Sequence, residues 1–292
     1  MKKDIAAIVL AAGRGERMKS DIPKVLHPVC GRAMVEYTRD LVGDIKAKKS
    51  VFVLGFKHEE VKKHLGKGSE FVIQRRLLGT ADAVKAALAR LKGFYGTVLI
   101  LYADIPLLKK DTVEKLIAHH KKNDLAATIL TAKSEKPAGY GRIIRDKYGS
   151  ISDIREEKDA DDLEKEIKEI NTGIICFDKD KLLEGIREIN PNPRKKEYYL
   201  TDIIGIFHRK GYLVESLRSA DINEAMGVNS RIELAKANSL MQERINEKFM
   251  REGVSIIDPR VTFIGYGVKI GKDSVIYPFT VIERDVKIGK RC

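Results

Sequence analysis

A glycine-rich turn follows the first apolar run of the chain and carries residues that could bind phosphate. The turn reads Gly13-Arg-Gly-Glu-Arg-Met18 and follows the run Ile5–Leu10. Glycine lets backbone N–H groups approach an anion closely, because no Cβ intervenes. The Arg17 guanidinium can donate two hydrogen bonds to phosphate oxygens, and Pro23 places a stiff turn before a second cation, Lys24. The pattern therefore predicts a cradle for a triphosphate.

This turn differs from the two common glycine-rich phosphate motifs. Met18 occupies the position of the third glycine of a dinucleotide-binding fingerprint, and the chain contains no G-x-x-x-x-G-K-[ST] sequence. A glycine pair alone would more often form a surface turn with solvated charges. The added presence of Arg17, Pro23 and Lys24 at these spacings favours phosphate binding.

A single acid, Asp104, follows another buried run, Thr97–Tyr102, and is itself followed by Pro106. An isolated carboxylate at such a position is costly unless it is paired or bound to a metal. Magnesium typically takes one or two protein oxygens together with phosphates and water. The sequence therefore predicts Asp104 as a Mg²⁺ ligand, with an exposed turn residue as the alternative. Gly13 and Asp104 both follow strand ends, where ligands bind in open α/β sheets.

The elements that position these residues alternate between two periodicities. Ile5–Leu10, Val51–Leu54 and Thr97–Tyr102 are short apolar runs typical of buried strands, whereas Ala81–Leu91 has apolar residues at helical spacing. This alternation predicts an α/β fold: a Rossmann-like domain with a mostly parallel mixed sheet. Further along, Ile222–Arg251 has the helical spacing of one long helix or two.

The last forty residues have a repeat of six. Four hexapeptides align in register, and each has isoleucine at its third position: Ile270, Ile276, Ile282 and Ile288. This is the signature of a left-handed parallel β-helix, in which the isoleucines point inward. The aligned repeats make barely more than one three-sided coil, and the alternative is a short set of irregular strands. We predict three units: a catalytic domain at 1–228, a linker helix at 229–252, and a truncated β-helix at 253–292.

Composition excludes several classes of protein. The chain has 292 residues, 43% of them hydrophobic and 33% charged, which is enough for a full-sized core. Its formal charge is +13, but the basic residues are dispersed among acids, the densest run is only Arg194-Lys195-Lys196, and tryptophan is absent. We therefore expect no nucleic-acid partner. An excess of cations also suits an enzyme with polyanionic phosphate substrates.

Membrane and export signals are not expected. No run of about 18 apolar residues occurs, so we expect no transmembrane helix, and the start at Met1–Asp4 is interpreted as the approach to a buried strand. The cysteines form no CxxC pair, which predicts a cytoplasmic protein without a disulfide framework or zinc site. Five histidines form no metal set, and we expect them on the surface: His58, His64, His119, His120 and His208.

Taken in order, these segments resemble the uridylyltransferase half of the bacterial bifunctional N-acetylglucosamine-1-phosphate uridylyltransferase/glucosamine-1-phosphate acetyltransferase family. The resemblance runs through essentially the whole chain. The stretches that carry it are LAAGRGERM and SDIPKVLHPVCGRAM near the start, then LLGTADAV at 77–84, LYADIPLL at 101–108, GYGRIIRD at 139–146, EINTGI at 169–174, EYYLTDII at 197–204 and GVNSRIELA at 227–235.

The resemblance implies a reaction and a set of site residues. The reaction is transfer of a uridylyl group from UTP to N-acetylglucosamine 1-phosphate, assisted by Mg²⁺ on Asp104 and Asn229. Arg17 and Lys24 would act in catalysis. The implied nucleotide-binding residues are Leu10, Ala11, Ala12, Gly13, Lys24, Gln74, Gly79 and Thr80. The implied sugar-phosphate-binding residues are Gly141, Glu156, Asn171 and Thr201.

Two departures from the family pattern leave alternatives open. The family usually has Gln-Leu-Gly-Thr-Gly-His where this chain has Leu77-Leu-Gly-Thr-Ala81-Asp82. A related enzyme that uses dTTP or another sugar therefore stays open. The family's acetyltransferase site lies downstream of the residues present here, so we expect no acetyl transfer. A non-catalytic scaffold would predict a broken phosphate motif, which is intact here. Association through the C-terminal repeats, whose open strand edge can pair, also stays open.

Overall fold

A computed structural model gives the structure of residues 4–66, 68–193 and 196–292. The chain start at Met1–Lys3, and Arg194 and Lys195 of the basic run, lie outside the described residues.

Short strands and helices alternate along the chain as far as residue 251. The strands are β1 (Asp4–Ala11), β2 (Pro28–Val29), β3 (Arg32–Ala33), β4 (Lys49–Leu54), β5 (Glu70–Ile73), β6 (Gly96–Tyr102), β7 (Ala127–Lys133), β8 (Gly141–Arg145), β9 (Ile151–Arg155), β10 (Glu169–Asp178) and β11 (Val214–Arg218). The helices are α1 (Met34–Asp44), α2 (His58–Leu65), α3 (Thr80–Leu88), α4 (Lys110–Lys122), α5 (Asp162–Lys165), α6 (Lys179–Gly185), α7 (Asp202–Arg209) and α8 (Arg231–Arg251).

Nine strands form one sheet within the described residues, and seven of them follow the order β11-β7-β10-β6-β1-β4-β5. β1 lies at the centre and pairs in parallel with β4 and β6, while β10 runs antiparallel to β6 and β7. The predicted mostly parallel mixed sheet is therefore confirmed.

The burial of β1 on both faces explains why its apolar run is continuous. Ala6, Ala7, Ile8 and Val9 all have 0% exposure. Alternate residues of β1 enter two separate cores, because successive side chains point to opposite faces of a sheet. Helices α3, α6 and α7 contribute to one core, and α1, α2 and α4 to the other. Both faces are thus covered, and the carboxyl edge of the sheet is left for ligands.

A smaller group of strands lies to one side of the carboxyl edge. β8 pairs antiparallel with β9 and with β10, and the pairing of β10 with β7 is irregular between Asn171 and Ile175. Gly173, in this irregular stretch, has φ of +83°, and a Cβ there would lie 2.8 Å from the Tyr102 ring. The bulge therefore lets β10 bend past the end of β6.

The chain ends in the predicted parallel β-helix. Its strands are β12 (Ser255–Ile256), β13 (Phe263–Ile264), β14 (Lys269–Ile270), β15 (Val275–Ile276), β16 (Val281–Ile282) and β17 (Lys287–Ile288). Each strand of the first coil pairs in parallel with one of the second: β12 with β15, β13 with β16, and β14 with β17. The isoleucines of these strands pack inward with Phe249 of α8, although Ile270 and Ile288 are only partly buried.

The β-helix begins earlier than the four aligned hexapeptides indicated. Ile256 and Ile264 supply two further faces, and they are eight residues apart instead of six because the turn Pro259–Val261 intervenes. From there the period is regular: residues 267, 273, 279, 285 and 291 all have positive φ and form the corners. Gly and Asp tolerate this conformation well, whereas Phe279 is an unusual corner residue.

The structure also describes the burial of the histidines and the character of the helices. The prediction that all five histidines lie on the surface is wrong for His120, which is 2% exposed and whose Nδ1 lies 2.9 Å from Thr128 Oγ1. His120 lies on the same buried face of α4 as Val113, Leu116 and Ile117, and its side chain points toward β7. In the part of the chain that the structure describes, no helix combines the length and the apolar character needed to cross a membrane.

Candidate active site

The glycine-rich turn follows β1 at the carboxyl edge of the sheet. Apart from its two chain neighbours, no described residue has an atom within 4 Å of the place where a Cβ on Gly13 would be, so this glycine faces open space. Gly15 has φ of +70°, and a Cβ there would lie 2.6 Å from Cβ of Lys24. The turn thus leaves room for a ligand at Gly13 and holds the backbone close to the lysine at Gly15.

Lys24 lies between two of the predicted metal ligands. Its ammonium group forms an ion pair with the Asp104 carboxylate, and its Nζ donates to Asn229 Oδ1 at 3.1 Å. The side chains of Lys24 and Asp104 are only 13% and 15% exposed. Three residues that are far apart in the sequence therefore converge on one point.

Backbone and capping contacts hold Asn229 in place. The Val228 N–H donates to the Asp104 carbonyl at 2.8 Å, which joins the two segments. Ser230 is the N-cap of α8, and the Glu233 carboxylate accepts from the Asn229 N–H at 2.7 Å. The Arg231 Nε donates to the Met18 carbonyl at 3.3 Å. The start of α8 therefore also contacts the glycine-rich turn at residues 13–18, hereafter the phosphate turn after its predicted role.

The donor set at this point fits a bound Mg²⁺. One carboxylate oxygen and one amide oxygen already converge on a cationic group, and magnesium sites of this kind are completed by phosphates and water. Among the described residues no cluster of three or more His, Cys, Asp or Glu could hold a metal. A metal bound here would therefore depend on its nucleotide for the remaining ligands.

The other residues predicted around the triphosphate have different exposures. Arg17 is exposed, at the second position of the 3-10 helix Glu16–Met18. Leu10, Ala11 and Ala12 are buried. The Ala12 carbonyl accepts from the Phe56 N–H at 3.3 Å, which ties the turn to the segment after β4.

The residues predicted to meet the base and ribose cluster where β5 leads into α3. Gln74 follows β5, is 8% exposed, and its N–H donates to the Leu54 carbonyl at 2.8 Å. Gly79 has φ of +106° and its Cα faces the Tyr198 backbone, so a side chain there would collide with it. Thr80 Oγ1 accepts from the Leu200 N–H at 2.9 Å. Gly79 and Thr80 therefore also bind the segment around Tyr198 to the start of α3.

The four residues predicted to bind the sugar phosphate fall into two pairs. Gly141 and Asn171 are cross-strand partners in β8 and β10, and Asn171 Oδ1 accepts from the Gly173 N–H at 2.9 Å. Thr201 Oγ1 donates to Glu156 Oε1 at 2.8 Å. The Asn171 side chain thus shapes the bulge of β10, while the threonine hydroxyl orients a carboxylate.

A polar cavity of about 350 Å³ opens beside Glu156. Its lining includes Asp153, Asp159, Tyr199 and Asp202. Burial raises the pKa of Glu156, and the Thr201 hydrogen bond opposes that rise. Burial, followed by the charges of Asp153, Glu156 and Asp159, raises the pKa of Asp202 to about 6. Carboxylates are crowded here, and the cavity has the polarity that a sugar requires.

A larger cavity, of about 1080 Å³, lies elsewhere. It is bordered by the turn between β2 and β3, by α8 and by the β-helix, and its lining includes Phe263, Ile264, Val281 and Met250. None of the predicted site residues lines it. Lys24, Asp104 and Asn229 meet instead at the carboxyl edge of the sheet.

The chain matches a known family of domains. Residues 7–170 match the family model described as a MobA-like NTP transferase domain, which is more than half of the chain. The chain belongs to this family. The matched part of the MobA-like domain contains the phosphate turn, Asp104, Gly141 and Glu156, whereas Thr201 and Asn229 lie beyond it.

Longer relatives are similar over nearly all of the chain. Proteins named bifunctional protein GlmU are 46% identical over 286 residues in Geobacillus sp. strain WCH70, in Enterococcus faecalis and in Listeria monocytogenes serotype 4b. The alignments cover 98% of this chain but only 62% or 63% of the relatives. The chain therefore spans less than two thirds of the length of these relatives.

A solved structure shows the fold of the same domain. A Bacillus anthracis protein, described as a candidate glucose-1-phosphate thymidylyltransferase in complex with a sucrose, superposes with a TM-score of 0.63. It is 20% identical and covers 81% of this chain and 94% of its own. At this identity, the likeness supports the nucleotidyltransferase fold alone.

Two contacts near the predicted site residues were not predicted from the sequence. Gln74 Nε2 donates to Asp82 Oδ2 at 2.8 Å, across the start of α3. Ser230 Oγ accepts from the Glu233 N–H, and the Glu233 carboxylate accepts from the Asn229 N–H. The spacing Ser230-x-x-Glu233 is a capping-box signal that the sequence does contain. The pairing of Gln74 with Asp82 has no such local signal.

Proposed function

We propose that this protein transfers a uridylyl group from UTP to N-acetylglucosamine 1-phosphate, releasing pyrophosphate. The observation that carries the proposal is the convergence of Lys24, Asp104 and Asn229 beside the open phosphate turn. Glu156, which is hydrogen-bonded to Thr201 and lines a polar cavity, supports a second substrate. Two ligand positions at one sheet edge are what a transfer between two phosphates needs.

The reaction would be an in-line displacement at the α-phosphorus of UTP. An oxygen of the sugar 1-phosphate attacks, the bond to the bridging oxygen of the β-phosphate breaks, and pyrophosphate leaves. The attacking phosphate is already ionised, so no general base and no covalent enzyme intermediate is needed. Catalysis would rest on positioning and on neutralisation of charge.

The protein's own groups have separate roles in this proposal. N–H groups of the turn at Gly13 would bind phosphate oxygens. Arg17 is exposed and can fold over the triphosphate, while Lys24 would shift from Asp104 toward the departing pyrophosphate. Mg²⁺ bound by Asp104 and Asn229 would supply charge neutralisation and orient the phosphates.

The acceptor would bind on the side of β8, β9 and β10. Gly141 offers a backbone without a side chain next to Asn171, and Glu156 is a partly desolvated hydrogen-bond acceptor. A carboxylate held by Thr201 suits a sugar hydroxyl or an amide N–H. The family resemblance of the sequence implies this choice of substrates and a role in cell-wall precursor synthesis, and the similarity to relatives named bifunctional protein GlmU supports that resemblance.

A pyrophosphate-release panel tests the proposal. The panel crosses UTP, dTTP and CTP with the 1-phosphates of N-acetylglucosamine, glucosamine and glucose, with Mg²⁺ and with chelator. We expect the highest kcat/KM for UTP with N-acetylglucosamine 1-phosphate and no turnover with chelator. A higher kcat/KM for dTTP or another sugar would favour the related nucleotidyltransferase instead.

Arg17→Ala tests the role of the exposed arginine. We expect kcat to fall by about two orders of magnitude, because removing one transition-state charge contact typically costs that much. Arg90→Ala is the matched control, since Arg90 also lies in the last turn of an exposed 3-10 helix, Ala89–Leu91. A change of less than about twofold in Arg17→Ala would show that Arg17 takes no part.

We further propose that the β-helix associates with other copies through its outer faces. Tyr277, Phe279 and Val281 are 69%, 83% and 70% exposed, which is unusual for apolar side chains so close together. Light scattering coupled to size exclusion tests this: an oligomer is expected for the natural chain, and dissociation for a variant with all three residues changed to serine. Neither nucleic acid nor membrane is part of the proposal.

A further inference from the structure

The side-chain amide of Gln74 is held in one orientation. Its Nε2 donates to Asp82 Oδ2 at 2.8 Å and to the Gly79 carbonyl at 3.1 Å. An amide has two N–H groups, so both are used by these contacts. Among the described residues, Gln74 Oε1 has no hydrogen-bond partner. The part of Gln74 that is available to a ligand is therefore an acceptor.

The reverse orientation of this amide is disfavoured. It would place Gln74 Oε1 against the Asp82 carboxylate and the Gly79 carbonyl, which are both acceptors. It would also leave two hydrogen bonds unmade on a side chain that is 8% exposed. Asp82 lies in the first turn of α3, where the helix terminus stabilises a negative charge. The carboxylate is thus a fixed acceptor that selects the orientation of the amide.

The position of Gln74 in the sheet places it at one end of a nucleotide site. The phosphate turn and Asp104 follow β1 and β6, whereas Gln74 follows β5 at the same edge. β6 and β5 are three strand spacings apart, or about 14 Å. A nucleotide with its phosphates at Lys24 would therefore bring its base toward β5 and Gln74.

We propose that Asp82 is a positioning residue that sets the base preference of this site by presenting Gln74 Oε1 to the nucleobase. The inference rests on the proposed function, because it assumes that a nucleotide binds at this edge. Uracil and thymine carry an N–H at N3 that can donate to Oε1. Cytosine has an unprotonated acceptor at N3, which Oε1 repels. The site should therefore accept UTP and dTTP and reject CTP.

The test compares UTP with CTP in wild-type protein, Asp82→Ala and Asp82→Asn. In Asp82→Ala only the Gly79 carbonyl still holds the amide, so it turns more readily. We expect the ratio of kcat/KM for UTP to that for CTP to fall at least about tenfold. The change should come from KM, with kcat for UTP within about twofold. Asparagine can still accept through its own oxygen, so Asp82→Asn should keep the ratio within about threefold of wild type.

Two controls separate base reading from a structural effect. Asp111→Ala removes an exposed acid from the first turn of α4 and should leave the ratio unchanged. In a Gln74→Ala background, Asp82→Ala should have no further effect on the ratio, because the amide through which it acts is gone. An unchanged ratio in Asp82→Ala alone, or an equal further loss in the Gln74→Ala background, would overturn the inference.

Equilibrium binding distinguishes this inference from the proposed function. Calorimetric titration of UTP and CTP, with Mg²⁺ and without any sugar phosphate, needs no turnover. If no sugar phosphate reacts but wild type prefers UTP and Asp82→Ala does not, the inference stands and the proposed transfer fails. Equal affinity of the wild type for UTP and CTP overturns the inference even if transfer occurs.

Discussion

Gly15 packs against Lys24 so closely that a Cβ on the glycine would lie 2.6 Å from Cβ of the lysine. Real Cβ atoms do not approach one another at this distance, so one of the two backbone segments would have to move. The glycine also has φ of +70°, which L-residues adopt at a cost of about 1 kcal/mol. The phosphate turn and the lysine are thus a matched pair.

The first prediction concerns this pair. Gly15→Ala should displace Lys24 from Asp104 and Asn229, and we expect kcat/KM for the transfer to fall about tenfold or more. Gly66→Ala is the matched control: Gly66 has φ of +75°, but among the described residues other than its chain neighbours no atom lies within 4 Å of the position of its Cβ. Both variants should lose stability in thermal unfolding because of their positive φ, Gly15→Ala by more because of its close contact, and only Gly15→Ala should lose activity. Equal activities would contradict the role of the close contact.

The second prediction concerns the charge at Asp104. Asp104→Asn keeps the shape of the side chain but removes the ion-pair partner of Lys24 and the anionic oxygen offered to a metal. We expect pyrophosphate release to fall at least about a hundredfold across a titration of Mg²⁺. The backbone contact between Asp104 and Val228 is unaffected, so the melting temperature should stay within a few degrees.

A second aspartate–lysine pair provides the control for Asp104. Asp4 and Lys48 form an ion pair of 2.6 Å at the other end of β1, far from the phosphate turn. Asp4→Asn should therefore leave the Mg²⁺ dependence and the rate unchanged. Full Mg²⁺-dependent turnover in Asp104→Asn would exclude this carboxylate as a metal ligand.

The third prediction concerns the Thr201–Glu156 hydrogen bond. Thr201→Val keeps the side-chain shape but removes the hydroxyl that orients the carboxylate. We expect KM for N-acetylglucosamine 1-phosphate to rise about fivefold to tenfold, with KM for UTP within about twofold. Thr112→Val removes a similar threonine–glutamate bond, to Glu224, and should change neither constant. A rise in KM for UTP alone would place Glu156 on the nucleotide side.

The fourth prediction concerns pH and Asp202. Its pKa is raised to about 6 from an ordinary value of 3.8, chiefly by burial, so the folded protein binds more protons than the unfolded chain between these values. Stability from this group is therefore present at low pH and is lost as pH rises toward 6. Asp202→Asn removes the penalty of the buried charge.

Asp202→Asn should accordingly be more stable than wild type at pH 7.5, by about 1 kcal/mol after allowance for the solvent that reaches a half-buried group. The difference should shrink as pH falls and vanish near pH 4. Urea unfolding at pH 4, 5, 6 and 7.5 measures it. Asp111→Asn, at an exposed first turn, should show no such trend, and a difference that is constant with pH would contradict the assignment.

Local pattern determined much of this fold. The apolar runs predicted the strands at the centre of the sheet to within two residues, and the repeat of six predicted the β-helix. Both succeed because alternation, helical spacing and the hexapeptide period report which faces are buried, and burial is the dominant stabilising term. The sequence alone also indicated the phosphate turn and Asp104, since both carry chemistry that packing does not explain.

Only the tertiary structure decided which side chains meet. Lys24 and Asn229 are 205 residues apart, and they touch because Val228 binds the Asp104 backbone and Glu233 fixes the start of α8. Asn229 and Glu156 entered the sequence analysis through a family resemblance and not through any property of their own segments.

The orientation of Gln74 and the burial of His120 show the same limit. Asp82 reaches Gln74 across the start of α3, and His120 turns into the core from a helix rich in charge. Neighbours across such separations depend on strand order and on the path of each loop. A period of two, 3.6 or six residues carries no information about either, so the base-reading contact becomes visible only in the folded protein.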